Sequence, residues 1–118
     1  MEYTFDINNR AFNAIKNNQK RIEIRVTKLG KYQFDYSVIK PGDYINFISY
    51  DKEKIRCIVK EINWYETIEK LLMLEGTKYT LSSTDDYEEG IKSINSLNGY
   101  KEAIKHNGVF AIHIEYLN

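Results

Sequence analysis

The sequence holds a single cysteine, Cys57, so it can form no internal disulfide and no cysteine-rich zinc site. Its two histidines, His106 and His113, stand apart and make no ligand cluster. Metal chemistry is not expected, and nothing in the sequence implies a cofactor. One proline and six glycines exclude collagen-like and Gly/Ser-linker classes. No run approaches the roughly 20 apolar residues needed to cross a bilayer. The opening Met1-Glu2-Tyr3-Thr4-Phe5-Asp6 also lacks a basic stretch followed by an apolar one. The expectation is a cytoplasmic protein with no membrane partner. The 17 basic and 17 acidic residues cancel, which removes the overall positive field of a general nucleic-acid coat. Phosphate-binding glycine loops, nucleophile elbows and paired-histidine zinc helices are absent as well.

What is present fits one compact domain over residues 1–118. With 42% hydrophobic and 14% aromatic residues, the chain has enough apolar material for a core that needs neither disulfide nor metal. Charge is unevenly placed. From Arg10 to Lys31, seven basic residues (Arg10, Lys16, Lys20, Arg21, Arg25, Lys28, Lys31) face one acid, Glu23, giving 7 − 1 = +6. From Glu61 to Glu102, nine acids stand against Lys70, Lys78, Lys92 and Lys101, giving 4 − 9 = −5. Asp85, Asp86, Glu88 and Glu89 suit the first turn of a helix.

Periodicity predicts the elements. Tyr3 to Ile7 alternates as a short strand, and Asn8 or Asn9 can cap a helix burying Ala11, Phe12, Ala14 and Ile15. That helix should end near Asn17, with Asn18 tolerating the left-handed conformation. In Ile22 to Val26, Ile22, Ile24 and Val26 share the core face while Arg21, Glu23 and Arg25 share the other. Pro41-Gly42-Asp43 turns into a strand at Tyr44 to Ile48, and Asp51-Lys52-Glu53 closes a hairpin. The return strand, Ile55 to Trp64, breaks phase near Glu61-Ile62 as a bulge would. Cys57 and Trp64 read as core residues. Thr67 caps a helix from Ile68 to Glu75 that Gly76 stops, and Ser83 or Thr84 can cap a second helix carrying Tyr87, Ile91, Ile94 and Leu97. A last helical piece runs from Tyr100 to His106, and Gly108 precedes a strand with Phe110, Ile112, Ile114 and Tyr116 on one face. On the other face, His113 reads as a solvated strand residue. About five or six strands with interspersed short helices predict an α+β fold, a small curved or closed mixed sheet.

The segment Asn18-Gln19-Lys20-Arg21-Ile22-Glu23-Ile24-Arg25 resembles the G-x-K-x-x-E-x-R signature of the ASCH domain family. Further resemblance follows along nearly the whole chain. Phe12 and Ile15 lie on the preceding helix, Lys40-Pro41-Gly42-Asp43 precedes a strand ending in Phe47, Trp64-Tyr65 precedes Leu71-Leu72, and Gly108-Val109-Phe110-Ala111-Ile112 closes the series. The resemblance implies a PUA-like mixed β-barrel and binding of RNA. Asn18 replaces the usual glycine, a change its left-handed tolerance accommodates. An ASCH subgroup hydrolyses N4-acetylcytidine with a lysine, a threonine and a later glutamate. By that resemblance Lys20 matches the lysine, Glu23 stands at the threonine position and removes the nucleophilic hydroxyl, and Glu75 is a candidate for the glutamate.

Arg25 offers a planar donor fork, Lys20 a mobile cation and Glu23 an acceptor for an exocyclic amine, a set able to read a nucleobase. The plainer reading is an exposed Glu23–Arg25 ion pair contributing at most about 1 kcal/mol. Arg21 adds charge, and Tyr65 and Tyr79, in the connections around the Thr67 helix, are candidate stacking platforms. The expected function is binding of RNA or a modified nucleoside. The alternative is a small amidohydrolase or ribonuclease using Lys20, Glu23 and Glu75, although neighbouring cations would lower the pKa of Glu23 and weaken it as a base. A third reading is a protein-interaction domain in which the acidic segment Asp85 to Glu89 meets a basic partner.

Overall fold

In the computed structural model, which describes residues 1–118, five strands and four helices follow the order β1 (Glu2–Asp6), α1 (Asn9–Lys16), β2 (Ile22–Arg25), β3 (Tyr44–Ile48), β4 (Lys54–Tyr65), α2 (Ile68–Glu75), α3 (Tyr87–Ser96), α4 (Tyr100–Asn107) and β5 (Val109–Leu117). The strands form one curled sheet in the order β1-β3-β4-β5-β2, with β1 parallel to β3 and every other pair antiparallel. The result is a half-barrel flanked by helices, an α+β architecture. No helix is long and apolar enough to cross a membrane.

Each face of the sheet carries a core. Inside the curl, Phe12 and Ile15 of α1 pack with Ile45, Phe47, Cys57, Val59, Ile112 and Ile114. Burying each large side chain contributes roughly 1.5–3 kcal/mol. On the outer face, Ile22, Ile24 and Val26 meet Ile68, Leu71 and Leu72 of α2 and Ala103 and Ile104 of α4. The two edge strands, β1 and β2, are not hydrogen-bonded to one another. The segment between β2 and β3 covers the opening, with Phe34 and Tyr36 packing edge-on or tilted against Tyr3 and Phe5 at centroid distances of 4.8–5.5 Å within this ring cluster. This segment carries one 3-10 turn, Tyr36–Val38.

Local chemistry explains most boundaries. Asn8 caps α1 by accepting from the Ala11 amide at 2.8 Å, and Asn18 at φ 62° reverses the chain behind it. The Lys40–Asp43 turn has Gly42 at φ 92° and a 3.0 Å bond from the Asp43 amide to the Lys40 carbonyl. Thr67 caps α2 through the Lys70 amide, and Gly76 ends it. The register of β4 against β5 shifts between Val59 and Glu61, the expected bulge.

Three expectations are corrected. The cap of α3 is Asp86, which accepts from the Glu89 amide at 2.9 Å, and not Ser83 or Thr84. Thr84 instead accepts from the Asp86 amide, so it shapes the approach to the helix. Trp64 is not core: it is 55% exposed, because the bulge shifts the end of β4 and the indole lies over Gly108 at the sheet margin. His113 is only partly solvated: the end of α2 covers its face, and its imidazole is half-buried against Glu75.

Candidate functional site

The alternation of β2 sends Ile22, Ile24 and Val26 to the helix side and leaves Glu23 and Arg25 facing into the curl, opposite Ile112 and Phe110. That second face is not solvent, and Glu23 is buried there. Lys20 joins it because the left-handed Asn18 folds the chain back, with the Gln19 and Lys20 amides both bonding to the Ala14 carbonyl. The loop after α2 then docks on the start of β2, where the Tyr79 carbonyl accepts from the Arg21 and Ile22 amides at 2.9 and 3.0 Å.

A continuous polar chain results. The Lys20 ammonium, 5% exposed, donates to the Ile22 carbonyl at 2.7 Å and to the Thr80 carbonyl, and it lies 3.4 Å from Glu23 Oε1. Glu23 Oε2 accepts from Arg25 Nε at 2.8 Å. Arg25 Nη2 reaches the Asp6 carbonyl at 2.9 Å, so the guanidinium ties the end of β2 to the end of β1 across the barrel opening. No buried side-chain nitrogen or oxygen lacks a partner.

Burial and neighbouring charge oppose one another at each group. Desolvation pulls the Lys20 ammonium below its ordinary pKa, with Glu23 acting the other way. Desolvation would raise Glu23, but Arg25 and then Lys20 outweigh it and hold the carboxyl below its usual range. Desolvation would lower Arg25, but the Glu23 carboxylate overcomes it and raises the guanidinium above its ordinary value. The Tyr100 phenol, buried beside them, is pushed up to about 12.

These residues floor a cleft of about 280 Å³. Arg10 and Lys28 line its wall with Asp6, Tyr100, Ser82 and Ser83. The lining thus has four cations (Arg10, Lys20, Arg25, Lys28) and two carboxylates (Asp6, Glu23), or 4 − 2 = +2. The ammonium of Lys20 has three protons and three oxygen neighbours, so none is left for a ligand. Lys20 is a positioning residue that fixes Glu23. Arg25 directs two of its five donors to Glu23 and Asp6, and Glu23 has acceptor capacity beyond its two cation bonds. The arrangement can therefore present a donor and an acceptor side by side.

Lys20, Glu23 and Arg25 do converge, but the other sequence candidates do not line this cleft. Arg21 is exposed, bonds Asn18 Oδ1 at 3.1 Å and stacks 4.4 Å above the Tyr79 ring, so each occupies the other. Glu75 lies on the opposite face of the sheet, where it accepts from the Tyr65 hydroxyl at 2.7 Å and Asn63 Nδ2 at 2.9 Å and meets His113 Nε2 at 2.9 Å. Tyr65, bound there, offers no free platform beside Lys20. Sequence reasoning did not single out Thr80, whose contribution is a backbone carbonyl and leaves no residue-type signal. Arg10 and Lys28 were visible only as members of the basic window.

No family model matches the chain, and no curated protein matches it. Solved structures do, among them two at 30% identity. The crystal structure of hypothetical protein PH0355 shares 30% identity at a TM-score of 0.82, covering 99% of this chain and 100% of that one. The solution NMR structure of protein PF0455 from Pyrococcus furiosus shares 30% identity at a TM-score of 0.74, covering 100% of this chain and 99% of that one. At that identity over essentially full length, with the curled sheet and its helices in common, the chain belongs to the family of these two proteins.

Proposed function

We propose that the chain acts as an ASCH-type domain whose basic cleft binds RNA or a modified nucleoside. The observation that carries this reading is the buried Lys20–Glu23–Arg25 network at the cleft floor. A buried ion network adds little stability over apolar packing of the same volume, so its usefulness lies in presenting oriented polar groups. Glu23 supplies an acceptor for an exocyclic amine, Arg25 supplies donors for a ring nitrogen or carbonyl, and Arg10 and Lys28 supply charge for a phosphate.

Several features favour binding over hydrolysis. Glu23 is held ionised and weakly basic by two cations, Lys20 has no free proton, and the candidate glutamate, Glu75, faces another part of the molecule. The Glu23 carboxylate is therefore a weak general base.

The test is an NMR titration with cytidine, N4-acetylcytidine and a short single-stranded RNA. Saturable shifts should map to Glu23, Arg25 and Thr80. The Arg10→Ala/Lys28→Ala variant should bind RNA with a salt slope reduced by about one for each phosphate left without its cation. Absence of shifts at the cleft with all three ligands would refute the proposal.

A further inference from the structure

A second cavity, of about 420 Å³, opens at the sheet margin and is lined by Thr27, Asp35, Ser37, Trp64, Asn107 and Phe110. Its wall is the single tryptophan of the chain, exposed yet fixed. Trp64 Nε1 donates to the Asn107 carbonyl at 2.9 Å, and Asn107 Nδ2 in turn donates to the Thr27 carbonyl at 2.8 Å. The indole rests against Gly108, where a Cβ would come within 2.3–2.5 Å of three ring atoms, so only glycine admits this seat. An exposed ring with its N–H already bonded and its orientation set has paid its ordering cost before any ligand arrives.

Charge identifies what suits that ring. Elsewhere on the molecule, tyrosine rings carry cations from the chain itself: Arg56 lies 3.9 Å from Tyr44, Arg21 4.4 Å from Tyr79 and Lys28 5.8 Å from Tyr100. Trp64, the best cation acceptor among aromatic residues, carries none. Beside it, Asp35 is the one ionisable residue of the lining. Its Oδ1 accepts from the Ser37 amide at 3.0 Å and the Ser37 hydroxyl at 2.7 Å, bonds that hold the carboxyl below its usual range and fix its direction. No cation of the chain pairs with it, and Oδ2 remains open.

We propose that this cavity is a binding site for a guanidinium group, which stacks on the free face of Trp64 and donates to Asp35. A guanidinium suits this lining better than an ammonium because its plane matches an indole face while its edge donors match a carboxylate. The site is separate from the Lys20 cleft and does not depend on what that cleft binds.

Trp64 fluorescence reads the site directly. Arginine amide should change it saturably, and glycine amide at equal ionic strength should not. Asp35→Asn, which keeps a side chain able to cap the Tyr36–Val38 turn, should weaken arginine amide by about three- to tenfold. Trp64→Leu should abolish the arginine-amide shifts of the Asn107 and Gly108 amides, with circular dichroism confirming that the variant is folded. A Gly-Arg-Gly peptide binding more tightly than arginine amide would identify a polypeptide as the source of the group, and equal binding a free guanidine compound. An unchanged response in Asp35→Asn would overturn the proposal. So would a response to cytidine monophosphate with none to arginine amide.

Discussion

Two glutamates of equal burial show how differently one sheet can use a carboxylate. Glu23 and Glu75 each keep 9% of the side chain exposed, on opposite faces of the sheet. Glu23 is balanced by the Lys20 ammonium and the Arg25 guanidinium and opens onto a basic cleft. Glu75 is held by hydrogen bonds from Tyr65 and Asn63 and by its contact with the His113 imidazole, and it pins the end of α2 to β4 and β5. Paired charges give a carboxylate turned toward a ligand, whereas hydrogen bonds from neighbouring side chains give a carboxylate that fastens a helix to the sheet.

The largest effect should come from Glu23→Ala. It leaves Lys20 and Arg25 buried without their counter-charge, and urea unfolding should show a drop of roughly 3–5 kcal/mol. Replacing all three charges, as Lys20→Met/Glu23→Leu/Arg25→Met, should restore most of that stability while abolishing ligand binding. A triple variant as unstable as Glu23→Ala would mean the network is there to hold the barrel shut. Glu75→Ala removes hydrogen bonds without stranding a permanent charge, and its cost should be smaller, about 1–3 kcal/mol.

Acid should separate the two sites further. Desolvation would raise Glu75, but Tyr65, Asn63 and His113 together hold its carboxyl below 4.5. A carboxyl depressed by folding contributes stability above its unfolded pKa and loses it as pH falls through the folded value. Below about pH 4.5, amide exchange at the end of α2 should therefore accelerate in the wild type but show less pH dependence in Glu75→Gln. Equal acceleration in both proteins would place the acid-labile group elsewhere. The smallest effect belongs to Arg10→Ala/Lys28→Ala, which should unfold within about 0.5 kcal/mol of wild type because both side chains are exposed and form no ion pair.

The sequence exposed the strands and much of the site. Alternation through Ile22, Ile24 and Val26 put Glu23 and Arg25 on a common face, and Asn18 marked the reversal that delivers Lys20. That this face is interior was not legible, because it follows from the curl and the order β1-β3-β4-β5-β2, which pairs residues far apart in sequence. The α3 cap was obscured by four consecutive candidates, Ser83 to Asp86, each chemically able to accept an amide. Trp64 misled because its seat is created by Gly108, just ahead of another strand. His113 and Glu75 meet only through the packing of α2 on β5, and no local pattern announces that.

The most direct measurement is the side-chain Nε–H resonance of Arg25, followed while RNA or N4-acetylcytidine is added. The account predicts a saturable shift of that resonance, in step with the Glu23 and Thr80 amides and absent in Glu23→Gln. A stationary Arg25 resonance while the ligand binds elsewhere would contradict it.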